Sequence, residues 1–191
     1  AYVYPGRPGK AAELAFRDAS LTHTKNGIYG ELFAAAMISA AFSTSDVTEV
    51  VQIGLEAIPE RSRLAEAVRN VTGWHEQHED WESTWAEVDQ VYGHYDWTHT
   101  IPNVCWIVLG LLYGKGEFDR SVGLSVMCGM DTDSTAATIG SVLGTMHESH
   151  GIRDKLRAPL SDQVETSTGR VRISELARRT LDAVRQLGTN P

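Results

Sequence analysis

Apolar residues recur at helical spacing along most of this chain. Val47, Val50, Val51, Leu55 and Ile58 follow a repeat of about 3.6 residues, and Leu64, Ala67, Val68, Val71 and Trp74 continue it. Trp81, Trp85 and Val88 mark a short amphipathic helix that Gly93 stops, and Leu176, Ala177, Leu181, Val184 and Leu187 mark a closing one. Tyr2 to Gly9 carries two Pro and two Gly and reads as a loop leading into a first helix over Lys10 to Leu21.

Two stretches are apolar nearly all round. Leu32 to Phe42 carries no charge and five Ala, which predicts a helix buried on every side at the centre of a bundle. Thr100 and Pro102 open the second, which runs to Tyr113 and ends at Gly114-Lys115-Gly116. Ser45, Pro59 and Ser174 read as helix starts. Glu117 to Met127 is a further helix, and Ser161 to Arg172 has the pattern of a short β-hairpin. No internal repeat or second domain is visible. The expectation is an all-α, compact helical bundle of about eight or nine helices, one domain over 1–191, with one hairpin near 161–172.

Composition changes this picture little. With 42% hydrophobic and 22% charged residues, 191 residues can bury a sizeable core. A net charge of −8 argues against nucleic acid as a partner, because phosphate contacts need clustered Lys and Arg. Cys105 and Cys128 lie in apolar runs without metal-type spacing, which suits two buried thiols in a reducing cytoplasm. The longest apolar run, Val104 to Tyr113, is about half what a membrane span needs.

The chemistry concentrates in Gly129 to Gly144, G-M-D-T-D-S-T-A-A-T-I-G-S-V-L-G. Asp131 and Asp133 are followed by the hydroxyls of Ser134 and Thr135, a hard, oxygen-only set that suits Mg²⁺, Mn²⁺ or Ca²⁺ rather than Zn²⁺. The bland alternative is helix capping, for which Asp and Ser are the common residues. Ala136, Gly140 and Gly144 recur every four residues. Gly inside a helix costs about 1 kcal/mol against Ala, so close approach of another backbone and a deeply buried helix are expected. His75 and His78 stand three apart, but flanking Glu76, Gln77 and Asp80 favour a solvated face over a metal pair. The loop Gly93 to Thr98, with His94, Tyr95 and Trp97, could stack a base or fold back on the core.

The whole string resembles the C-terminal metal motif of the ADP-ribosylglycohydrolases, the family that includes the dinitrogenase-reductase-activating glycohydrolases. Pro8 to Gly30 looks like that family's central helix and Ser/Thr-His turn, and His99 to Gly114 is similar to the helix one element before the metal motif. The resemblance implies an all-helical fold, two Mg²⁺ or Mn²⁺ ions, and hydrolysis of the bond joining ADP-ribose to a protein side chain or small acceptor. Asp131 and Asp133 match metal-ligating aspartates, Ser134 stands where a ligating Thr is usual, and His23 matches the turn beside bound ADP-ribose. The family's Thr-Asp-Asp motif is not found, nor is the Asn-Gly-containing phosphate loop that normally lies upstream of the central helix. The chain therefore looks like the C-terminal part of a member, with a missing N-terminal segment as partner for half of the di-metal site. The competing reading is a non-catalytic structural or ADP-ribose-binding member of the same fold, as lens crystallins are.

Overall fold

The computed structural model describes residues 1–167 and 169–188, apart from the side chains of residues 149 and 150; Thr168, within the expected hairpin, and residues 189–191 lie outside. The described residues form α1 (Pro8–Ala19), α2 (Asn26–Ala40), α3 (Val47–Glu56), α4 (Arg63–Gln77), α5 (Trp81–Tyr92), α6 (Thr100–Gly114), α7 (Phe118–Met127) and α8 (Thr132–His147). A 3₁₀ turn (Glu148–Gly151), α9 (Asp154–Arg157), the antiparallel strands β1 (Gln163–Thr166) and β2 (Gly169–Arg172), and α10 (Ile173–Gln186) follow. The all-α class and the hairpin are as expected, and the single-turn α9 is the main addition to the expected helices.

The centre of the bundle is α6. Every residue from Ile101 to Gly114 is buried, and α2, α3, α4, α5, α7 and α8 all pack around it. This corrects the expectation for Leu32 to Phe42. In α2 only Phe33, Ala36, Met37, Ser39 and Ala40 are buried, Ala34, Ala35 and Ile38 line an open groove with Leu14 and Leu21, and Phe42 is exposed. Lack of charge permits burial, but apolar area drives it. Trp106, Leu109 and Leu111 offer far more area than a run of alanines, so α6 takes the middle.

Close backbone approach also falls elsewhere than expected. A Cβ on Gly114 would lie 2.6 Å from Ser121 Cα, and one on Gly110 would lie 2.8 Å from the Ser121 carbonyl, so these glycines let α6 and α7 touch. At Gly140 and Gly144 the nearest atoms would be 3.7 Å away, on Phe118, and 4.0 Å away, on Ile152. That is ordinary contact, and the expected backbone approach at α8 is absent among the described residues. Nor is α8 deeply buried: Thr135, Ile139, Val142 and Leu143 face the core while Asp133 and Ser134 are exposed.

The helix starts are set by whichever side chain reaches the second or third amide. Asp46, Ser62 and Asp80 accept from the amides of Thr48, Ala65 and Ser83. Asp46 therefore replaces Ser45 as the cap of α3, and α4 begins after Ser62 rather than at Pro59. At α10 the acceptor is Asp162, which takes the Ser174 amide at 2.8 Å and the Ser174 hydroxyl. Ser174 is the capped residue, not the cap.

The rest of the core follows the apolar pattern. Trp85 stacks on Trp106 with ring centroids 6.1 Å apart, and its Nε1 donates to the Cys128 carbonyl at 3.2 Å. Both thiols are free and buried, and burial pushes the Cys128 pKa up to about 12 and that of Cys105 well above the usual range. Among the described residues no helix is long and apolar enough to cross a membrane.

Candidate functional site

The first turns of α2, α4, α6 and α8 lie at one end of the bundle. Three contacts tie that end together. Asn26, first residue of α2, accepts the Leu64 amide in the first turn of α4 at 3.3 Å. Gly30 of α2 lies against Thr100, first residue of α6. The Asp131 amide, at the start of α8, donates to Asn103 Oδ1 in the first turn of α6 at 3.1 Å. Each helix N-terminus carries a partial positive charge, although the Leu64, Ala65 and Ile101 amides are already taken by Asn26, Ser62 and His99. Four of them meeting at one end favour an anionic group there.

The turn that opens α8 is built by backbone conformation. Gly129 (φ +86°) and Met130 (φ +60°) both take left-handed geometry, which reverses the chain between α7 and α8. Met130 carries the cost of that geometry as a non-glycine residue. Asp131 occupies the N-cap position, yet its carboxylate makes no cap hydrogen bond. The amide that needs a partner there is its own, and Asn103 supplies it. Among the described residues the side chains of Asp131, Asp133 and Ser134 have no hydrogen bond or ion pair. A cap hydrogen bond does not account for Asp131.

Their oxygen chemistry fits a hard divalent cation. Three donors make only part of a shell, and among the described residues no group of three or more His, Cys, Asp or Glu side chains gathers as a metal site. His23 lies in the turn between α1 and α2, at the same end of the bundle. It is 53% exposed, its Nδ1 shares a hydrogen with the Thr22 hydroxyl at 2.8 Å, and Glu31 stands 3.2 Å away. No hydrogen bond or ion pair among the described residues joins His23 to the Asp131 turn. Asp131, Asp133 and Ser134 share the opening of α8, and His23 lies in a turn at the same end.

The loop between α5 and α6 also lies at this end, and it does both things its sequence allowed. Tyr95 packs against the core, flanked by the rings of His94 at 4.3 Å and His99 at 4.2 Å. Trp97 projects outward, 60% exposed. Asp96 Oδ1 accepts from the amide and hydroxyl of Thr98, which closes the turn. His99 Nδ1 accepts the Ile101 amide and caps α6, and burial holds the pKa of His99 below its ordinary value. His75 lies edge-on to Tyr113 at 4.6 Å, the His78 carbonyl accepts the Tyr113 hydroxyl, and the His78 ring stands 3.7 Å from the Glu87 carboxylate.

The residue the sequence reading passed over is Asn103. Its only signal is an amide side chain in an otherwise apolar helical run, I-P-N-V-C-W-I-V-L. In the fold it is 8% exposed and connects the aromatic loop to the aspartate turn.

An all-helical bundle carrying uncommitted aspartates at a helix start defines the class in outline. Comparison with known families makes it specific: the model of the ADP-ribosylglycohydrolase family matches residues 1–190, and the chain belongs to that family. Searches of curated proteins and of solved structures gave no match.

Proposed function

We propose that this protein is a metal-dependent hydrolase that releases ADP-ribose from a protein side chain or small acceptor by cleaving the glycosidic bond at ribose C1. Family membership supports a glycohydrolase in general. The observation that carries the finer reading is the Asp131 carboxylate, which sits at an N-cap and does not cap. Asn103 satisfies the backbone there instead, leaving the carboxylates of Asp131 and Asp133 and the Ser134 hydroxyl available. These three would hold one Mg²⁺ or Mn²⁺ of a pair, with water completing a shell of about six ligands. Such an ion, when bound, supplies Lewis-acid polarisation and fixes the hydroxyls of a ribose.

The chain's own groups orient the substrate. The converging first turns of α2, α4, α6 and α8 favour the diphosphate of ADP-ribose. His23 stands at the same end as a candidate contact for the substrate, and exposed Trp97 offers an apolar face beside it. A second reading, a non-catalytic ADP-ribose-binding or structural member, draws on the lack of a complete ligand set among the described residues.

The experiment is release of free ADP-ribose from an ADP-ribosylated substrate with Mg²⁺ or Mn²⁺ supplied, for the wild type and Asp133→Asn. The variant should lose metal-dependent turnover and keep its circular dichroism spectrum, because the Asp133 side chain makes no hydrogen bond among the described residues. Turnover equal to wild type would refute the ligand role. No turnover in either protein, with ADP-ribose still bound, would favour the second reading.

A further inference from the structure

We propose that Asn103 is a positioning residue that couples the aromatic loop over 94–99 to the aspartate turn, so that the state of the loop sets the geometry of Asp131. The proposal rests on the reading of that turn as a ligand site.

Asn103 is buried and spends its amide in two directions. Its Nδ2 donates to the carbonyls of Trp97 at 2.8 Å and His99 at 3.0 Å, which uses both of its hydrogens. Its Oδ1 accepts the Asp131 amide at 3.1 Å. The amide plane is rigid, so displacement of the two loop carbonyls rotates Oδ1 and alters the bond to Asp131. That residue follows directly on the left-handed pair Gly129-Met130, and while its carbonyl accepts the Thr135 amide at 3.0 Å, its own amide lies ahead of the helical ladder. Among the described residues the Asn103 side chain is the only partner of the Asp131 amide.

The loop is suited to respond to a ligand. Its outer residue, Trp97, is exposed, while its inner residue, Tyr95, is anchored between His94 and His99. Its Asp96–Thr98 turn is an exposed, local structure. A planar ring laid on Trp97 would bear on the carbonyl that Asn103 holds. By linkage, occupancy of the aspartate turn would steady the loop in return.

Three variants test this. Asp96→Ala opens the exposed Thr98 turn without touching the core, Asn103→Ala removes the connection, and Asn103→Asp keeps the size and the acceptor toward Asp131 but loses the donors to the loop. The first readout is metal-free amide NMR. Asp96→Ala should shift the amides of Asp131 to Ser134, and it should no longer do so in the Asn103→Ala background or, should that protein not fold, in the Asn103→Asp background. The second is Mg²⁺ titration followed at the same amides. Asp96→Ala should weaken binding several-fold at unchanged Tm. Shifts at Asp131 that persist without the Asn103 amide, or no shift from Asp96→Ala in the wild-type background, would overturn the coupling. If the metal-free shifts follow Asn103 but Mg²⁺ produces no response in any protein, the coupling stands and the metal reading of the turn fails.

Discussion

Replacing Gly114 and Gly140 separately with Ala distinguishes two glycines that look alike in sequence. Gly140 lies inside α8, where the change relieves a helix-propensity cost of about 1 kcal/mol, while Gly114 is the last residue of α6, where the relief is smaller. They differ in what the new methyl meets. At Gly114 it would lie 2.6 Å from Ser121 Cα and 2.7 Å from Ser121 Cβ, and the first of these is backbone of α7. The two helices would have to separate by nearly an ångström, which for overpacking of this kind costs about 1–3 kcal/mol or more. The net change at Gly114 is therefore destabilising. At Gly140 the methyl would rest 3.7 Å from the end of the Phe118 ring, a favourable distance, so most of the propensity gain survives. For a chain of this size about 1 kcal/mol moves Tm by about 2–4 °C. Thermal and urea unfolding should show Gly140→Ala melting a few degrees above wild type and Gly114→Ala below it. A Gly140→Ala variant that melts lower would show that the small-residue face of α8 is tightly covered, and would refute the assignment of close approach to α6 and α7.

Two further outcomes follow from the same geometry. Burial is the leading cause holding His75 and His99 below the ordinary 6.5, with Lys115 and His94 adding to it and Glu76 and Asp96 opposing it. The unfolded chain then takes up protons that the folded chain refuses; this contribution is fully present above about 6.5 and is lost as pH falls through the lowered folded values. Urea midpoints should accordingly decline below that pH, and the decline should shrink in His75→Gln; a flat profile from about 7 to 5 would count against it. Asp162, held down to about 2 by the Ser174 amide and hydroxyl and by Arg172, caps α10 from eleven residues before its start. In Asp162→Ala the amides of the first turn of α10 should exchange faster while those of α6 do not change, and equal protection in both proteins would show that the cap contributes nothing.

The helical class, the hairpin over 161–172 and the oxygen-donor turn were legible because each is written in local pattern: a 3.6-residue repeat, alternation between turn residues, and carboxylates beside hydroxyls. The identity of the central helix was not. Leu32 to Phe42 and Thr100 to Tyr113 are equally free of charge, and only packing shows that the larger side chains of α6 gain more from the middle. Likewise glycine spacing in α8 suggested close approach, whereas closeness depends on where α7 passes, which is a property of the pair of helices. Helix capping could not be separated from ligation by composition, since Asp serves both. The tertiary structure shows only that Asp131 does not cap α8: Asn103, 28 residues away in sequence, takes its backbone amide and the carboxylate makes no cap hydrogen bond. Local spacing determines which elements form; which faces meet, and which polar groups are thereby left unsatisfied, is decided only when the helices pack.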